Sequence, residues 1–121
     1  MDVLALISRR LPISPLNLRS ETKTVASEFF VFTRCFAEEG QQRFVAAAIQ
    51  EVLAPTRQEP GCLEIAAFSS TQDQRLFHIH SRWEDETAFD NHLQLPHTRR
   101  FLNAIQALLD RPIDVTRAQA L

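Results

Sequence analysis

The side chains best suited to chemistry are four imidazoles, an indole and an arginine set among phenylalanines. His78 and His80 alternate with Phe77, Ile79 and Ser81, so the two rings share one face of an extended segment, roughly 7 Å apart. Trp83 follows and offers a flat ring with one N–H donor. His92 and His97 flank Pro96, and an imidazole can take or give a proton near neutral pH. Arg34 stands between Phe32 and Phe36, where an unpaired guanidinium would be costly, so it needs a carboxylate or an anionic ligand oxygen. Together these groups could sandwich an aromatic ring between Trp83 and Phe32, with His80 and His78 beside it. His92 or His97 would remove a proton, and Arg34 would hold the resulting oxyanion. The chain has no tyrosine, so proton transfer falls to His, Asp, Glu, Arg or water. His78 and His80 show no third ligand at fixed spacing and no His-Glu-x-x-His motif exists, so no metal is expected. Cys35 and Cys62 have no adjacent base in sequence, which argues against a thiol nucleophile.

The elements that must position these groups begin at Glu28. Glu28 to Phe36 is β-prone, with Phe29, Val31, Thr33 and Cys35 on one face and Phe30, Phe32, Arg34 and Phe36 on the other. Both faces are largely apolar, which predicts a central strand covered on both sides. Gly40 breaks the chain, and Gln41 to Ala54 carries Val45, Ala48, Ile49 and Val52 at helical spacing up to Pro55. Glu59-Pro60-Gly61 reads as a turn, with Gly61 free to take positive φ. Cys62 to Phe68 and Arg75 to Trp83 read as a hairpin around the polar 69–74 loop. Asp85 can cap a helix from Glu86 to about Leu95, Pro96 interrupts it, and a second helix runs from His97 to about Leu109. His97 then meets the positive end of that helix, which favours a neutral ring able to act as base or acceptor. Pro112 stops the helix and Ile113 to Ala120 is a last strand. The order βαββαβ predicts an α+β, ferredoxin-like fold with a four-stranded antiparallel sheet.

A length of 121 residues fits one domain. Thirteen basic against fifteen acidic side chains give a net charge of −2, which argues against a nucleic-acid partner. No apolar run approaches the ~20 residues that cross a bilayer, and Val3 to Ile7 is too short for a secretory leader, so the expected location is cytoplasmic, with no membrane partner. A disulfide is not needed for a domain of this size. Residues 1–27 differ from the rest: Arg9, Arg10, Arg19 and Lys23 against Asp2 and Glu21 give +2, leaving −4 for 28–121. Their leucines show no clean period, and they read as an N-terminal arm, either a mobile tail or a strap over a partner subunit.

Residues 28–121 resemble the antibiotic biosynthesis monooxygenase family of the dimeric α+β barrel group. The resemblance rests on Glu59-Pro60-Gly61-Cys62, on Phe77-x-Ile79 and Trp83-Glu84-Asp85-Glu86, and on His92-Leu93-x-x-Pro96-His97, in that order. It implies a homodimer paired through sheet faces and a monooxygenase that oxidises anthrones, quinols and related aromatics with O2 and without a cofactor. It carries the positions of both His92 and His97. Relatives also include haem-degrading proteins and proteins that are not oxygenases. Here Ser81 stands where many relatives have an acid, His80 where a tyrosine is common, and Thr33 and Arg34 where the haem-degrading branch has an asparagine. The first two departures keep open a second class, a dimeric small-molecule-binding or stress-related module without catalysis; the third argues against haem.

Overall fold

Alternation along one strand decides the layering. The computed structural model describes residues 28–121, so the expected N-terminal arm lies outside the described residues. Strand β1 (Phe29–Phe36) buries Phe29, Val31, Thr33 and Cys35, while Phe32 and Arg34 on the other row are exposed. The hairpin follows as β2 (Cys62–Ser69) and β3 (Leu76–Trp83), and β4 (Asp114–Ala118) closes the sheet. The strand order is β2-β3-β1-β4 with every neighbour antiparallel, the ferredoxin-like arrangement the sequence predicts. β1 is central, as expected. Among the described residues the helices cover only one of its faces, and the row holding Phe32 and Arg34 is left uncovered.

Three helices pack on the buried row. Helix α1 (Gln42–Arg57) sets Val45 and Ile49 against Cys35, Phe77 and Ile79. The sequence predicts its end at Ala54, yet it continues through Pro55 to Arg57. A proline in the last turn forfeits one helical hydrogen bond, and the Thr56 hydroxyl donates to Val52 O (2.7 Å) close by, which helps hold that turn. Helix α2 (Glu86–His92) starts where Asp85 accepts from the Ala88 N–H (2.9 Å), the expected cap. It stops at His92 rather than Leu95. Helix α3 (Pro96–Gln106) then begins on Pro96 itself: proline serves as its first residue, where a missing N–H costs nothing. Phe29, Val31, Trp83, Phe89, Leu93 and Val115 form the second half of the core.

Glycine works differently at its two positions. Gly40 takes φ +89°, the only positive φ among the described residues. Gly61 does not use the conformational freedom predicted for it. A Cβ added there would lie 2.4 Å from Ala88 Cβ, so glycine serves a close approach of the turn to α2. Gly61 O also accepts from Glu84 N (2.9 Å), which fastens the turn to the end of β3.

Candidate active site

The turn after α1 delivers a carboxylate to the interior. Glu59 N bonds Thr56 O (3.1 Å) and Cys62 N bonds Glu59 O (3.1 Å), so the backbone is fixed on both sides. The Glu59 side chain is only 7% exposed. One of its oxygens, Oε2, lies 2.7 Å from His92 Nδ1 and 2.6 Å from His97 Nε2. α2 ends on the first imidazole and the second follows Pro96 in the first turn of α3, so the break between the helices sets both rings on one oxygen. Thr98 Oγ1 stands 3.2 Å from His92 Nδ1. A buried carboxylate needs such partners, since an unpaired charge would be expelled or neutralised.

The His92 ring also packs at 4.8 Å, tilted by 41°, against Trp83, which is fully buried. Burial pushes the His92 pKa down, while the hydrogen bond and charge of Glu59 pull it up. With Nδ1 committed to Glu59, Nε2 is the ring nitrogen left for other chemistry. His92 forms part of the wall of a cavity of about 60 Å³ between helices and sheet. Apolar side chains such as Val31, Ile79 and Phe101 make most of that wall, with hydroxyls from Thr33, Ser81 and Thr98. Trp83 is behind the wall, not in it. Its Nε1 donates to Ser81 Oγ (2.9 Å), which orients a hydroxyl that does line the space. His97 turns the other way, onto a groove between α1 and α3.

The antibiotic biosynthesis monooxygenase family model matches residues 29–104, more than half of the chain. The chain belongs to the antibiotic biosynthesis monooxygenase family. Among solved structures, Rv0793 of Mycobacterium tuberculosis is similar at 25% identity, covering 78% of this chain and 96% of that one with a TM-score of 0.75. A structure described as an antibiotic biosynthesis monooxygenase is similar at 27% identity, over 77% of this chain and 98% of that one, TM-score 0.73. PA3566 of Pseudomonas aeruginosa shares the fold at 24% identity, over 80% and 97%, TM-score 0.75. The uncharacterized protein sll1783 of Synechocystis sp. is 27% identical over 75 residues, 62% of this chain; the match spans about half the length of that relative.

Within this family frame the predicted site residues fall into two groups. His92, His97 and Trp83 are brought together on the helix side. Arg34, Phe32, His78 and His80 stand on the open face of the sheet. Phe32 and His80 meet edge to face at 5.0 Å, with Phe68 5.4 Å and His78 6.1 Å from His80. Phe32 therefore cannot sandwich a ring against Trp83, because the sheet lies between them. Arg34 Nε donates to Asp114 Oδ2 (2.9 Å) at the β1–β4 edge, the ion-pair alternative for this residue. Cys35 and Cys62 are not bridged to each other, and burial pushes the Cys35 thiol up to about 12. The Cys62 thiol is also raised, by burial and then by Glu59 nearby. In the sequence Glu59 reads only as a turn residue. Its partners lie 33 and 38 residues away, and only the acid beside a Pro-Gly turn in the family motif marked the position.

Proposed function

We propose that this family member is a cofactor-independent monooxygenase that oxidises a small electron-rich aromatic, anthrone or quinol with O2. The observation that carries the reading is the Glu59–His92 pair, with His92 in the wall of a largely apolar cavity. A carboxylate on Nδ1 fixes the tautomer and leaves Nε2 as a base, the logic of a carboxylate–imidazole dyad. Ground-state O2 is a triplet and does not react readily with closed-shell side chains. A substrate that has lost a proton can donate the electron itself, so the protein need supply only a base, a dry space and hydrogen bonds to the developing oxyanion. The balance closes without a reductant: a ring CH2 and O2 give a carbonyl and water. The donors lining that space are the Ser81, Thr33 and Thr98 hydroxyls, which take the oxyanion role in place of Arg34 on the opposite sheet face.

Size constrains the reading. About 60 Å³ is the share of roughly two waters, whereas a cavity known to take benzene measures ~150 Å³. Leu102 and Ile113 line both this cavity and a neighbouring pocket of about 300 Å³ at the α3–β4 junction. Their parting would join the two spaces into one that admits an aromatic ring. The small volume of the cavity also favours the second reading, a module that binds a small molecule without oxidising it.

Oxygen consumption with a panel of anthrones and quinols, followed beside thermal shift, separates the two. His92→Ala should cut uptake by about 10²–10⁴-fold. An unaltered rate in that variant would reject His92 as the base, and binding without uptake would establish the module. The reading includes a homodimer, supported by exposed Phe32 and Phe68 on the open sheet face. It also includes a cytoplasmic location, with which two unpaired thiols agree. No helix among the described residues is long and apolar enough to cross a membrane.

A further inference from the structure

We propose that Glu59, His92 and His97 also form a site for a divalent transition metal of the zinc class, competing with the hydrogen-bonded state of the same groups. The inference shares side chains with the oxygenase reading but does not depend on it. Two imidazoles and one carboxylate are a donor set suited to Zn²⁺, Fe²⁺ or Ni²⁺ rather than to Mg²⁺ or Ca²⁺, which prefer oxygen. Three protein ligands with a further position open is also the pattern of reactive zinc centres. The three donor atoms lie within 4.8 Å of one another. A tetrahedral ion with bonds of ~2.0–2.1 Å needs donor separations of roughly 3.3 Å. Each nitrogen must draw back from Oε2 by about 0.6–0.7 Å, and the donors, at most 4.8 Å apart, must settle to that common spacing by rotation of the side chains.

The surroundings suit an ion in three respects. The ligands are held before any ion arrives, by the turn at Glu59 and by two helix ends. Access exists, because His97 borders the groove between α1 and α3 while His92 borders the inner cavity. The Thr98 hydroxyl, 3.2 Å from His92 Nδ1, stands ready as a hydrogen-bond partner for a water in the fourth position. Binding has a chemical consequence. An ion on His92 Nδ1 requires the neutral ring to carry its proton on Nε2, so the nitrogen that would act as base is blocked. No electron moves; two N–H···O bonds are exchanged for metal–ligand bonds, with the ring protons relocated to the far nitrogens.

Zinc titration of chelator-treated protein by calorimetry tests this directly. One equivalent per chain should bind with micromolar or tighter affinity and raise the melting temperature. Glu59→Gln and His97→Gln should each weaken binding by at least about 100-fold, the scale on which even outer partners of metal ligands act. Circular dichroism identifies variants that fold. Substituting Gln for both His78 and His80 should leave the affinity unchanged, and cobalt should give a spectrum without thiolate bands. Failure of wild-type protein to bind zinc, or loss of binding in the His78/His80 variant alone, would overturn the site. Oxygen uptake then separates the two readings. Zinc that binds and quenches uptake supports both, and zinc that binds without changing uptake keeps the site while removing His92 as the base.

Discussion

At the scale of residues, one carboxylate oxygen organises the interior. Glu59 Oε2 collects His92 and His97, and the helices that carry them are joined only by a short turn. Glu59→Ala would leave two largely buried imidazoles without their acceptor, a loss of about 1–3 kcal/mol. Urea unfolding should show it, and an unmoved midpoint would mean that the helix ends are held by packing alone. The histidines were legible in the sequence because imidazoles on either side of a proline are conspicuous. Their acceptor was not, because nothing local tells a buried glutamate from a solvated one next to Pro-Gly. Arg34 erred in the other direction. Its phenylalanine neighbours suggested burial, but they occupy the open row, and the guanidinium reaches Asp114, 80 residues away.

At the scale of elements, proline and glycine mark where elements meet but not how each junction is built. Alternation and helical spacing located every strand and helix of 28–121, since those periods are dictated by burial of one face. The departures came at ends, where a single lost hydrogen bond decides: α1 absorbs Pro55, and α3 uses Pro96 as its first residue. Gly61 is conspicuous in sequence, yet its reason is a neighbour 27 positions on. Gly61→Ala should destabilise by about 1–3 kcal/mol through collision with Ala88. Ala88→Gly added to it should recover part of that loss, and melting curves of the two singles and the double test the coupling. Asp85→Ala removes the α2 cap and should cost about 0.5–2 kcal/mol. Because α2 carries His92, its thermal shift should appear together with reduced oxygen uptake.

At the scale of the whole molecule, the sheet carries helices on one side only among the described residues. The open row includes Phe32 and Phe68 at 41% and 49% exposure, close to His80. Large apolar groups gathered this way mark a surface that associates. Asp at both Phe32 and Phe68 should convert the expected homodimer to monomer in sedimentation velocity, while the folded core, built on the other row, stays intact. A dimer that survives both substitutions would place the contact elsewhere.

The placement of β1 at the centre of the sheet has a consequence for biosynthesis. Its two neighbours, β3 and β4, are both made after it, and the second arrives about eighty residues later. Until β3 emerges a nascent strand rich in phenylalanine has unsatisfied edges on both sides, and one edge stays open until β4 arrives. Such a segment is prone to pair with other chains. The ribosome-bound protein should therefore depend on chaperones until its final strand emerges.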